Sequence, residues 1–288
     1  MGMSESVSSD FLNSGPCHYL LSIECDGSRF FGTQIQGKGE RTVQGVLSET
    51  LAPLGISSIR PGSRLDQGVS AACLPVDIVT DRPWDPAVLG LAINQKMPDD
   101  LVVVRVAPVG EQFDARNASD KTYRYRIVSR PMRPVLDRSC WWVRDIPHPE
   151  RLAVVAAMLP GRHDLSGFAA LRHDQTDEKD PVRQYLAAWW ISDINDDTIT
   201  HTFRITGEGF LYRQVRGVVG AMIVVAMGRA SIADFSAAMV AGRTATRLGN
   251  IAPAEGLLLE HVNYRPPPAW TTVSIGNRQA SFRAAANT

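Results

Sequence analysis

The chain has little cysteine. Cys17, Cys25, Cys73 and Cys140 form no Cys-x-x-Cys pair, and no Cys/His cluster has zinc-ligand spacing. They are expected to be reduced, mostly buried thiols of a cytoplasmic protein, with no metal site. No apolar run approaches the length of a membrane span. The first residues, through Ser14, lack the apolar core of a signal peptide and are expected to form a disordered tail over 1–15. Net charge is also absent. Lys+Arg total 30 and Asp+Glu total 30, which argues against a uniformly basic nucleic-acid binder.

What is present is ordinary for a globular protein with a sizeable core: 288 residues, 44% hydrophobic and 21% charged. Its charge is segregated. From Phe113 to Arg133, six basic residues face two acids, a net of +4, whereas Asp174 to Asp180 carries a net of −3. A basic face can therefore coexist with a neutral total.

Hydrophobic period and turn residues predict the elements. Strands are expected over Cys17–Cys25, Ile56–Arg60, Ser70–Thr80 and Leu101–Val106. Thr42 should cap a helix from Val43 to about Pro53, and Asp85-Pro86 should open another to about Met97. The order β-α-β-β-α-β is the ferredoxin-like unit. The second half reads the same way. A strand is expected over Thr122–Ser129 and a helix from Pro149 to about Leu159. A hairpin should join Tyr185–Ile194 to Thr198–Thr206. Helices Phe210–Met227 and Ile232–Ala241 and a strand Leu257–Tyr264 complete it, with a short helix over His163–Leu171. The expected fold class is α+β. Two ferredoxin-like subdomains, residues 16–112 and 113–268, make a wide, mostly antiparallel sheet with helices on one side and a central cleft. Residues 269–288 are expected to be weakly structured.

Arg64-Leu65-Asp66 lies in the loop after Pro61-Gly62. Alone it is an ordinary turn acid beside a surface arginine. Three other segments change its weight. Tyr123-Arg124-Tyr125 alternates on a strand, tyrosines to one face and arginines to the other. Arg213 and Arg216 stand three apart on an otherwise apolar helix, and Arg216, flanked by Val215, Val218 and Val219, needs a distant acid if it is buried. Gly32 to Gln36 is a polar loop that runs toward the helix start Thr42-Val43-Gln44-Gly45.

With these segments in order, the chain resembles the TruA-type tRNA pseudouridine synthases from about Cys17 to Tyr264. The family's Gly-x-Gln-x-Gln loop is met at Gly32 to Gln36, and its Thr-Val-Gln-Gly helix start at Thr42 to Gly45. Its Gly-Arg-Thr-Asp-x-Gly-Val-His-Ala loop is met at Ser63 to Ala71. Asn94 with Pro98-Asp99, Phe113 to Arg116, Tyr123 to Tyr125, Gly161 to Phe168 and Phe210 to Gly220 match further family segments.

The resemblance implies Asp66 as the essential carboxylate, Arg216 as its partner and Tyr123 as the residue that stacks on an extruded base. Arg64 would fill the space that the base leaves. Gln34, Gln36, Arg116, Lys121, Arg124 and Arg213 are the other expected RNA contacts. The implied reaction is isomerisation of uridine to pseudouridine, in a tRNA anticodon stem–loop, by a homodimer. It needs no cofactor, since nothing is oxidised or transferred to a second molecule. Ser63, Leu65, Gln67 and Ser70 replace the family's Gly, Thr, Ala and His. These positions are expected to border the substrate and to bear on which RNA is met. A divergent paralogue acting on another RNA or a small uridine compound, and a non-catalytic RNA-binding protein, are the alternatives. The long helix from Phe210 and the Trp141-Trp142 segment are candidate pairing surfaces.

Overall fold

The computed structural model describes residues 16–37, 39–170 and 180–274, so the expected tail over 1–15 lies outside the described residues. In the first half, β1 (Cys17–Cys25), α1 (Val43–Leu51), β2 (Ile56–Pro61), β3 (Ser70–Thr80), α2 (Pro86–Asn94) and β4 (Leu101–Val109) follow in order. The second half contains β5 (Asp120–Ser129), β6 (Trp141–Val143), α3 (Glu150–Ala157), β7 (Gly161–Asp164), β8 (Val182–Asn195) and β9 (Thr198–Gly207). It continues with α4 (Gln214–Ala226), α5 (Ile232–Ala241), β10 (Leu257–Asn263) and β11 (Thr271–Thr272).

Neighbours run β4-β1-β3-β2 in the first half and β10-β5-β9-β8 in the second, the same ferredoxin-like order twice. The pairs are antiparallel except β3 with β10 and β5 with β6. The halves fuse where Ser70 and Ala71 of β3 pair with Leu258 and Leu259 of β10. That seam begins four residues after Asp66, so strand register carries the Asp66 loop to the junction of the halves.

The sheet has two unlike faces. On β1, Tyr19, Leu21 and Ile23 join the main core together with residues of all five α-helices, whereas Leu20 joins a small cluster with Ala115 and Tyr264. Strand alternation therefore puts the helices on one side, as the sequence pattern predicts. Burial of apolar area in this shared core, at about 25 cal/mol per Å², is the main force joining the halves. The predicted caps are also in place. The Thr42 hydroxyl accepts from the Gly45 N–H, and Asp85 accepts from the Ala87 and Val88 N–H groups.

Several expectations need correction. The helix opened by Asp85 stops at Asn94, short of Met97, because the Asn94 amide pairs with both backbone groups of Val103. No helix covers His163 to Ala170. Instead β7 pairs with β8 and one 3-10 turn, Ser166–Phe168, drives Phe168 into the core; Leu171 lies outside the described residues. The helix expected from Phe210 starts at Gln214, because Arg213 adopts a left-handed φ of 56°. Phe210 turns back to the sheet, where it packs edge-on against Tyr123 at 5.1 Å. Eleven of the 13 residues of α4 are buried, so this helix is core and not a pairing surface. Trp141 packs on Tyr125, and the indole N–H of Trp142 donates to the Arg130 carbonyl. Beyond the prolines at 266–268, β11 pairs with β4, and Arg105 lies over the Trp270 ring, so that stretch is not wholly unstructured.

α4 fits because backbone comes close to it. A Cβ on Gly217 would lie 1.7 Å from the Phe168 carbonyl oxygen. Gly217→Ala should therefore destabilise the protein by about 3 kcal/mol, since the oxygen belongs to packed backbone and cannot rotate away. That cost exceeds the ~1 kcal/mol by which alanine favours a helix over glycine. Urea unfolding midpoints of the two proteins test it; an equal or higher midpoint for the alanine variant would refute the close-approach argument.

Candidate active site

The Asp66 loop is held from behind. Gly32, with φ +97°, lets the 30–33 segment lie against it; a Cβ there would sit 2.8 Å from the Leu65 carbonyl oxygen. The Thr33 N–H donates to the Leu65 carbonyl, and the Thr33 hydroxyl accepts from the Leu65 N–H. The Gly68 N–H donates to the Phe30 carbonyl, and the Val69 N–H to that of Asp66. These bonds leave Arg64 exposed and Asp66 at the edge of solvent, with Ser63 and Leu65 buried to either side.

Asp66 meets the partner that Arg216 demanded. Nη1 of Arg216 donates to Oδ2 of Asp66 at 2.7 Å, with the side chains only 13% and 15% exposed. Arg216 is fixed at both ends. Its Nε donates to the Ala252 carbonyl at 2.7 Å, and its own carbonyl accepts from the Ala252 N–H. Charge-assisted bonds of this kind are short and directional. Arg213 approaches the same carboxylate oxygen through Nε at 3.5 Å. Among the described residues no hydrogen bond reaches Oδ1 of Asp66, so one oxygen is held and the other is open.

Tyr123 comes from β5 on the helix side and packs against the core, next to Phe210. Burial, and then the nearby Asp66 charge, raise its phenol well above the usual range. Tyr123 is therefore a neutral phenol at physiological pH. Lys121 reaches the loop from its start, donating to the Gly62 carbonyl, and burial lowers its ammonium. Gln34 and Gln36 are exposed on the neighbouring loop, and Gln36 donates to the Phe31 carbonyl.

Two residues expected to contact RNA are ion-paired within the chain. Arg116 is clamped by Asp114, two residues before it, through contacts as short as 2.6 Å; this pairing also holds Asp114 down to about 2. Arg124 points to the opposite sheet face, 3.6 Å from Glu260, which also binds Arg204. On that face Arg124 and Arg126 line a cavity of about 340 Å³ with Glu24, Asp26 and Glu255, and Asp66 does not line it. The expectation that the altered loop positions border the substrate also needs revision. Leu65 is core, Ser63 is buried, and the Ser70 hydroxyl accepts from the Gly27 N–H. Leu65 and Ser70 support the loop from within, the Ser63 hydroxyl is buried without a hydrogen-bond partner among the described residues, and Gln67 is exposed. Thr33, Ala252 and Phe210 are site residues that residue-type reasoning missed. Ala252 acts through its backbone, which leaves no trace in side-chain chemistry; Thr33 and Phe210 stood inside segments that had been singled out.

The buried pair makes a stability prediction. Arg216→Met should cost about 3 kcal/mol, because it leaves a largely buried carboxylate with only the long Arg213 contact. Adding Asp66→Asn to that variant should recover part of the loss. Urea unfolding of the single and double variants gives the coupling; additive losses would show that the two side chains do not depend on each other.

The geometry can be set beside known proteins. A family model for tRNA pseudouridine synthase matches residues 155–265. The tRNA pseudouridine synthase A of Methylobacterium sp. (strain 4-46) is 35% identical over 256 residues, covering 86% of this chain and 98% of that protein. That of Thermus thermophilus is 33% identical over 250 residues, covering 85% and 96%. That of Myxococcus xanthus is 35% identical over 260 residues, covering 87% and 94%. Among solved structures, a Cbf5-Nop10-Gar1 complex aligns with a TM-score of 0.33 and 11% identity over 71% of this chain and 44% of that one, too distant for any detail to transfer. On identity of this extent over nearly the whole of each relative, the chain belongs to the tRNA pseudouridine synthase A family.

Proposed function

We propose that this protein isomerises uridine to pseudouridine in tRNA, at the anticodon stem–loop, with Asp66 as the reacting carboxylate. The observation that carries the reading is the half-held carboxylate: Oδ2 bound by Arg216, Oδ1 open, at the seam of the two halves. A non-catalytic RNA binder has no need of an acid–base pair buried this way.

The reaction breaks the bond between uracil N1 and sugar C1′, turns the base and joins C5 to C1′. C5 loses a proton and N1 gains one, so atoms balance without a co-reactant. Asp66 can attack C1′ through its open oxygen, or take a sugar proton to give a glycal-like intermediate. Arg216 balances the charge of Asp66 and aims it in either route. Tyr123, as a neutral phenol, suits stacking on the extruded base and relaying a proton, and is poorly suited to act as a phenolate base. Arg64, exposed beside Asp66, is positioned to occupy the gap in the RNA stack. The same reading has the enzyme working as a homodimer in the cytoplasm, where thiols such as Cys25 and Cys73 stay reduced. The exposed Met132, Val135 and Leu136 on the β5–β6 connection offer apolar area for such pairing.

Incubation with unmodified tRNA, followed by pseudouridine mapping, should give product in the anticodon stem–loop. Product at other sites only would overturn the target assignment, and none from folded protein would overturn the activity. Asp66→Asn should fold and be inactive. Tyr123→Phe should bind tRNA as tightly as the parent, whereas Tyr123→Ala should lose the roughly 1–3 kcal/mol that aromatic stacking supplies. Equal binding losses in both variants would point to the hydroxyl instead of the ring.

A further inference from the structure

Asp66 has two cations on one oxygen, and they are held very differently. Arg216 is locked to Ala252 and nearly buried. Arg213 is 40% exposed, meets Oδ2 at 3.5 Å through Nε alone, and lies over the Tyr212 ring at 4.8 Å. Its backbone is also unusual. Arg213 and Asp196 are the non-glycine residues with positive φ among the described residues. Asp196 sits in the turn between β8 and β9, where such a conformation is ordinary. Arg213 caps α4 with no side-chain capping bond, in a conformation that persists only where surroundings or function demand it. This backbone sets a long, partly exposed cation beside Asp66. Its terminal nitrogens make no hydrogen bond or closer ion pair with the described residues.

We propose that Arg213 is a positioning residue that exchanges partners. In the free enzyme it shares Asp66 with Arg216; when RNA enters, its guanidinium transfers to a backbone phosphate beside the target uridine. Asp66 then keeps one cation instead of two, so phosphate capture frees part of its charge only in the bound complex. Planar guanidinium suits both partners, since carboxylate and phosphate present the same paired oxygens. Arg216, locked to Ala252, cannot make the exchange. The charged and titratable groups facing Asp66 are Arg216, Arg213 and Tyr123; the packing segments 30–33 and 252–254 contribute none. The inference rests on the assignment of Asp66 made above.

The test is single-turnover pseudouridine formation on unmodified tRNA, as a function of tRNA concentration and salt, with Arg213→Ala, Arg213→Gly and Arg213→Lys. kcat should stay near the parental value in the Ala and Gly variants, because in the complex Arg213 has already left Asp66. kcat/KM should fall about tenfold, with a salt slope shallower by about one unit, the loss of one phosphate contact. Arg213→Lys should recover most of kcat/KM. Arg213→Gly accommodates the left-handed φ, so agreement between Ala and Gly assigns the effect to charge and not to backbone strain. The proposal is overturned if kcat falls together with kcat/KM, if neither changes, or if Gly alone retains parental kcat/KM. Asp66→Asn in the same assay separates the two readings. Turnover in that variant sinks the Asp66 assignment itself, whereas a silent Asp66→Asn with a fall in kcat across the Arg213 series sinks only the exchange.

Discussion

The bond between Asp66 and Arg216 is the constraint that organises the molecule. Neither group can be buried alone, since an unpaired charge in a protein interior costs several kcal/mol. They come from opposite halves of the chain, 150 residues apart in sequence. Bringing them together requires the β3–β10 seam, the close approach of backbone to α4, and a loop that presents Asp66 outward. The seam supplies only two residue pairs of backbone contact. The shared apolar core must therefore supply most of the energy that holds the ion pair at 2.7 Å, and the pair in turn sets the register at which the halves meet. Energy and specificity are thus divided between two kinds of interaction.

The loop itself shows how a family pattern can change while its geometry persists. A threonine is expected between the arginine and the aspartate, and leucine stands there. Leu65 enters the core, and a hydroxyl bond to its backbone comes from Thr33 across the gap. Ser70, in place of a histidine, accepts from the Gly27 N–H at the same turn. Each replacement keeps a support for the backbone. Arg64 and Asp66 are unchanged from the pattern while Gln67, exposed next to them, is not, which fits a loop whose chemical pair is under demand and whose other positions have drifted.

Much of this was readable from residues. Strand alternation separated Tyr123 from Arg124, the caps at Thr42 and Asp85 stood where local chemistry put them, and an arginine amid valines called for an acid. What failed was governed by tertiary contact. Apolar residues from Phe210 onward have helical spacing, yet Phe210 gains more by packing on Tyr123 and Tyr185 than by joining α4. Arg124 pairs with Glu260, far along the chain, which no local pattern reveals. Arg116 is different: Asp114 stood two residues away, and the pairing could have been foreseen.

These pairings explain how a chain with no net charge can serve a polyanion. Arg60, Arg116, Arg124, Arg126 and Arg204 all lie within ion-pair distance of acids of their own chain, and their field is largely cancelled beyond a Debye length. Long-range attraction then comes from the cations outside these pairs, among them the exposed Arg29, Arg133, Arg144 and Arg229, and beside the carboxylate from two more. Arg64 is exposed, and Arg213 is held by one long contact. Both flank Asp66. A tRNA therefore meets uncancelled positive charge beside the carboxylate as well as at exposed arginines elsewhere on the chain. Selectivity in such an arrangement depends on whether a uridine can be presented to the carboxylate, which makes local deformability of the RNA, more than its total charge, the quantity the site can discriminate.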